Sequence, residues 1–197
     1  MEIQNNIQTE KRTQAAPCKT PVSSYETLQK YMIDFIQEQQ LKIGYRKETL
    51  RIYYFLSSLN HYIARQFTIE EMVEYLKGFC DYAKPLLGAI TITHREERFC
   101  FTIPEEGTEA VHQLPLHNDF LPCLLHTVSQ HGCTMNDVLA VFQDTPYTLS
   151  VQQLTGEDFD CLIYFQDDPF DNYRYCFKQE GEHLTYHRFT PEDYRDL

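Results

Sequence analysis

The feature that most constrains this chain is its last quarter. Four runs of strand-forming residues begin at Tyr147, Phe159, Tyr173 and His183, and only short polar stretches separate them: Thr155–Asp158, Asp167–Asn172 and Glu180–Glu182. Strands joined by turns this short must pair antiparallel, because a parallel pair needs a crossover of a dozen residues or more. The result is a four-stranded meander with an apolar face that the rest of the chain has to cover.

The covering material lies upstream. Ser23 and Glu26 fit a capping box, and Leu28, Met32, Phe35, Ile36 and Ile43 recur at helical spacing before Gly44 stops the run. Thr49 to Tyr62 carries both periods: alternation up to about Phe55, then helical spacing from Ser57 or Ser58. Thr68 and Glu71 cap a further helix, which Pro85 is expected to stop. Ile90 to Ile103 alternates as a hairpin around a polar turn at His94 to Arg98. Asn118 or Asp119 opens a helix that runs to Gly132, with Pro122 tolerated in its first turn, and Thr134 with Asp137 caps the next. Thr190-Pro191 starts a short terminal helix.

Helices and a hairpin first, then a helix pair and a meander packed against helices, make an α+β fold rather than a parallel one. Residues 1–22 are polar, hold Pro17 and Pro21, and show no period, so they read as a disordered tail before one domain spanning 23–197. The total of 197 residues suits a single domain.

Charge distribution narrows the function classes. The formal net charge is −12, yet no Lys or Arg occurs from Phe99 through Tyr173, where twelve Asp and Glu fall; the remainder balances at 17 basic against 17 acidic. Nucleic acid is a poor partner for such a chain, since phosphate neutralisation needs a basic footprint. The helix pair around Gly132 has the spacing of a helix-turn-helix, but its second helix offers Asn136, Asp137 and Asp144 instead of groove-reading cations. No apolar run reaches the roughly 20 residues that span a bilayer, and the first residues lack a signal-peptide core. Seven cysteines without close pairs read as free thiols, most of them small core residues. A cytoplasmic setting, without membrane or nucleic acid, is expected.

Motifs for chemistry are scarce. There is no nucleophile elbow, no phosphate-binding glycine loop, no dinucleotide fingerprint and no motif for any cofactor. Cys123 and His126 share a helix face, and with His131 they form the one weak alternative for a metal, but no paired spacing typical of zinc accompanies them.

Two basic constellations remain. With a turn centred on Glu180-Gly181, Lys178 faces His183, Cys176 faces Thr185 and Arg174 faces His187. Arg174, Lys178, His183 and His187 then share one sheet face suited to an anion, or to an acidic surface. Near the start of the domain, Arg51 with Tyr53 and Tyr54 forms a second recognition spot.

The segments Q-L-K-I-G-Y-R-K-E-T-L-R-I-Y-Y, H-G-C-T-M-N-D-V-L-A-V-F and Y-R-Y-C-F-K-Q-E-G-E-H-L-T-Y-H-R-F-T-P-E-D-Y resemble a family of small uncharacterised bacterial proteins, known as a domain of unknown function. The resemblance covers most of residues 25 to 197. It implies a bacterial cytoplasmic domain and no activity, cofactor or catalytic residue.

The leading expectation is a binding or regulatory domain that recognises a protein partner or a small anion. The alternative is an enzyme with an unfamiliar site, in which His187 acts as base beside Arg188 and Tyr186, with or without dependence on a metal. Self-association through the edge at Ile90–Ile92 or the edge of the meander is a third.

Overall fold

The computed structural model describes residues 24–155, 158–168 and 171–195. The expected tail, and the capping role of Ser23, lie outside them. The described residues form an α+β fold of seven helices and two antiparallel sheets.

Helix α1 (Ser24–Ile43) leads into strand β1 (Leu50–Phe55), which passes directly into α2 (Leu56–Tyr62). The double period of this segment therefore marks a real strand-to-helix switch. Helix α3 (Ile69–Leu87) opens with the Thr68/Glu71 capping box. It does not stop before Pro85 but runs on to Leu87. A proline this close to the end removes one intrahelical hydrogen bond, and the Gly88 N–H still closes the last turn onto the Lys84 carbonyl.

Strands β2 (Thr91–Arg95) and β3 (Arg98–Ile103) form the expected hairpin, with the turn narrowed to Glu96 and Glu97. Strand β1 adds to its far side, giving the order β1-β3-β2. Helix α4 (Glu105–His112), which is not among the expected elements, follows at once. Helices α5 (Phe120–Val128) and α6 (Met135–Gln143) make the pair. Helix α5 ends four residues before Gly132, because the Ser129 hydroxyl and the Gln130 amide both donate to the His126 carbonyl. The meander is β4 (Leu149–Gln153), β5 (Cys161–Phe165), β6 (Arg174–Glu180) and β7 (His183–Phe189), in that spatial order, and α7 (Pro191–Arg195) closes the described chain.

In the final hairpin Glu180 pairs with His183, Lys178 with Thr185, Cys176 with His187 and Arg174 with Phe189. The turn thus lies on Gly181-Glu182, one residue later than expected. Gly181 takes a positive φ of 63°, which glycine adopts without a Cβ penalty, and this places the turn. Shifting the turn centre by one residue moves every cross-strand partner by two, so each side chain keeps its face.

Two aromatic layers build the core. Phe99, Phe101, Ile103 and Ile52 cover the inner face of the three-stranded sheet and meet Phe79 of α3. Phe120 and Phe142, from α5 and α6, pack edge-on against Phe165 and Tyr175 of the meander, with ring centroids 4.8 to 5.7 Å apart within this set. Helix α1 lies between the two, with Leu28, Met32 and Ile36 fully buried. Tyr25 of α1 rests on Tyr75 and Phe79 of α3, and Gly78 of α3 lies directly beneath the Tyr25 hydroxyl, where a Cβ would collide. The six cysteines among the described residues are all free thiols. No helix among the described residues is long and apolar enough to cross a membrane.

Phe142 touches four rings of the meander layer, so Phe142→Ala should lower stability by about 3–5 kcal/mol in urea titration, whereas Cys123→Ala at the exposed thiol should change it by under about 0.5 kcal/mol.

Candidate functional site

The centre of the candidate site follows from the alternation of β7. Leu184, Tyr186 and Arg188 point inward, with Tyr186 opposite Phe177 and Arg188 opposite Tyr175 of β6, and the buried Tyr173 just precedes that strand. An arginine therefore enters the core on a strand whose other inward residues are apolar or aromatic. Its partner comes from α1, where Tyr31, Asp34 and Glu38 recur at helical spacing and face the meander.

Arg188 pairs with Glu38 at 2.7 Å, and the two side chains are only 7% and 8% exposed. The guanidinium also donates to the Asp34 carbonyl at 3.1 Å and stacks over the Tyr173 ring at 4.2 Å. Glu38 takes a second cation, Lys42, at 2.7 Å and accepts the Tyr186 hydroxyl at 2.6 Å. Around this pair three further phenols each find a carboxylate: Tyr173 donates to Asp34 (2.7 Å), Tyr175 to Asp171 (2.5 Å) and Tyr62 to Asp193 (2.5 Å).

Electrostatics follow from burial and pairing. Burial by itself would raise the Glu38 carboxyl, but Arg188 above all, with Lys42 and Tyr186, holds it below the usual carboxylate range. Burial also disfavours the charge on Arg188; Tyr175, Glu38, Tyr173 and Asp171 outweigh it and keep the guanidinium protonated. Asp171 is raised by burial, against the Tyr175 hydroxyl and Arg188. Burial, joined by nearby carboxylates, pushes Tyr31 up to about 12 and raises Tyr54, Tyr62, Tyr173, Tyr175 and Tyr186. At neutral pH these phenols are hydrogen-bond donors, not bases.

Beside the network lies a cavity of about 310 Å³ between α1, α2, β1 and the end of β7, walled by Tyr31, Tyr54, Tyr62 and Tyr173, with Arg188 and Asp193 at its polar end.

The sequence-predicted residues divide among three places. Arg174, Lys178, His183 and His187 share the outer face of the meander, as alternation requires. They are largely engaged there: Arg174 lies over the Tyr164 ring at 4.0 Å and donates to the Asn172 carbonyl, Lys178 sits 3.9 Å from Glu180, and His187 packs on Phe159 and Phe189. Arg188 is on the opposite face, so it does not join His187 in one site. Arg51 and Tyr53 lie on the outer face of the three-stranded sheet, while Tyr54 points inward to the cavity. Cys123 and His126 line a groove between α5 and α6, whereas His131 lies 3.3 Å from Glu182 at the hairpin turn. Among the described residues no group of three or more His, Cys, Asp or Glu stands close enough to hold a metal ion.

Asp34, Glu38, Asp171 and Asp193 were not singled out from the sequence. Tyr31, Asp34 and Glu38 do carry a signal, a polar stripe on an otherwise apolar helix, but its partner on β7 lies about 150 residues away.

Against known protein families, residues 25–197 match the model described as "Domain of unknown function, E. rectale Gene description (DUF3877)". The chain belongs to that family. No curated protein matches the chain, and no solved structure does. The family covers all the elements from α1 onward, including both halves of the Glu38–Arg188 pair.

Removing one member of a buried pair strands the other charge. Glu38→Gln should therefore destabilise the protein by about 3–5 kcal/mol, and Glu38→Leu with Arg188→Met should recover most of that loss in the same denaturation assay. Glu38 has a depressed folded-state pKa, so its contribution is present above the ordinary carboxylate pKa and is lost as pH falls through the folded value. Wild type and Glu38→Gln should accordingly converge in stability as pH is lowered below about 4.

Proposed function

We infer that the chain is a non-enzymatic binding module of the bacterial cytoplasm that docks an acidic segment of a protein partner. The docking face is the outer side of the three-stranded sheet. The observation that carries this reading is the composition of its three cross-strand rows: Arg51–Thr102–Thr91, Tyr53–Cys100–Thr93 and Phe55–Arg98–Arg95.

Arg95 and Arg98 stand directly opposite each other, an arrangement that is unfavourable without a counter-ion. Arg51 and Arg95 have no ion-pair partner among the described residues, and Arg98 leans over the Tyr53 ring at 4.6 Å. Tyr53 and Phe55 remain 49% and 58% exposed, a large apolar area to leave in water. The rows line an open depression of about 980 Å³, with Glu96 and Glu97 at its hairpin end. Cations set among exposed aromatics on a protein of net charge −12 suit a carboxylate-rich chain that also offers apolar side chains. Nucleic acid fits less well, since three arginines flanked by Glu96 and Glu97 fall short of the basic footprint that a run of phosphates needs. The outer face of the meander is the weaker candidate because Arg174 and Lys178 are already engaged.

A fluorescent Glu-Tyr repeat peptide tests this reading by anisotropy. It should bind with an affinity that falls as salt rises, and Arg51→Ala with Arg98→Ala should weaken it about tenfold or more. Equal binding of a neutral Gln-Tyr repeat, or a loss confined to Arg174→Ala with Lys178→Ala, would sink it.

A further inference from the structure

The cavity beside the Glu38–Arg188 pair has a composition opposite to that of the sheet face. Eight of its thirteen lining residues are aromatic. Its one arginine is neutralised within the wall by Glu38, so no free cation faces the space. The surrounding charges leave an excess of carboxylate. Arg188, Lys42 and Lys30 are met by Glu38, Asp34 and Asp171, which leaves Asp193 and Glu192 without a basic partner among the described residues. Asp193 accepts from the Tyr62 and Thr190 hydroxyls at the cavity wall. Glu192 lies next to it in α7, and its Oε2 is buried with no hydrogen-bond partner. Its charge reaches Tyr31, which helps to push that phenol up to about 12.

The rings already display the chemistry they favour. Lys30 sits 5.8 Å from the centre of the Tyr31 ring and 5.4 Å from that of Tyr173, and Arg188 covers Tyr173. Tyr54 and Tyr62, in an edge-to-face pair 5.6 Å apart, are the two cavity tyrosines with no cation over them among the described residues. Aromatic faces attract ammonium groups through the ring quadrupole, and a nearby carboxylate adds Coulomb attraction. A volume of about 310 Å³ is at the small end of ligand cavities.

We propose that this tyrosine-walled cavity is a binding site for a small organic cation, with the ammonium head held against the wall formed by the Tyr54 and Tyr62 rings and close to the Asp193 carboxylate. The site is separate from the docking face: Asp193 and Tyr62 lie away from Arg51 and Arg98, although Tyr53 and Phe55 border both depressions and so serve as probes of neither.

Isothermal titration with choline and tetramethylammonium tests the site, with dimethylbutanol as the neutral carbon isostere of choline and inorganic phosphate as the anionic probe. Choline should bind saturably, and its isostere about tenfold or more weaker. Tyr54→Ala and Asp193→Asn should each weaken choline about tenfold, and Tyr54→Phe, which keeps the ring, should bind nearly as well. Ser58→Phe, which fills the cavity from α2, should abolish binding while the circular dichroism spectrum stays native, so a folding defect is distinguishable from a lost site. The Arg51→Ala/Arg98→Ala protein should bind choline like wild type, which separates the failure of this proposal from failure of the docking face. Equal affinity for choline and its isostere would mean a plain apolar cavity. Displacement of choline by phosphate, or no saturable heat with either ammonium probe at millimolar concentration, would equally overturn the assignment.

Discussion

The ion pair between Glu38 and Arg188 ties the first helix to the last strand, and much of the architecture is arranged around its burial. A guanidinium removed from water is tolerated only when its charge and its donors are met, and here a carboxylate, a backbone carbonyl and an aromatic face meet them. Glu38 in turn needs Lys42 and Tyr186, because a single hydrogen-bonded partner leaves carboxylate lone pairs unsatisfied. The requirement spreads outward to Tyr173 with Asp34 and Tyr175 with Asp171. A pair of this kind contributes little net stability relative to an apolar core. It does penalise any arrangement in which α1 and β7 fail to meet, and this is the sense in which it selects the packing of α1 on the meander.

On its other side the same helix packs through apolar and aromatic contacts with a few neutral hydrogen bonds and no buried ion pair, so α1 joins two layers by different physics. Toward α3 it offers Tyr25, which requires glycine at position 78. Toward the meander it offers acids. The space left where these layers diverge is the tyrosine-walled cavity, and the Asp193 carboxylate of α7 borders it. On the far side of the three-stranded sheet no helix among the described residues covers the arginine and aromatic rows, and Tyr53 and Phe55 are exposed there. The molecule thus segregates its charge in two directions: a cationic face on the outside of one sheet, and a carboxylate-rich, ring-lined recess between the layers.

How legible this was depends on range. The meander and the two capping boxes at Thr68 and Thr134 depend on residues a few positions apart, and they are present as the sequence leads one to expect. The face shared by Arg174, Lys178, His183 and His187 survived a misplaced turn, since strand parity is unchanged when partners shift by two. What failed were local rules with local exceptions. Pro85 sits too near a helix end to break it, and side chains at Ser129 and Gln130 end α5 before the glycine does. Arg188 was grouped with His187 because they are adjacent, yet adjacency on a strand means opposite faces.

The antiparallel meander, the β2–β3 hairpin, the α+β class and the concentration of negative charge were thus determined by sequence alone, because each is written in periodicity and composition. Which groups meet was decided only by the tertiary structure. Glu38 and Arg188 are 150 positions apart, β1 reaches its place beside β3 across two helices, and the cavity borrows its walls from four separate segments. Such contacts arise from the packing of whole elements, and a single sequence carries no periodic signal for a pairing between distant segments.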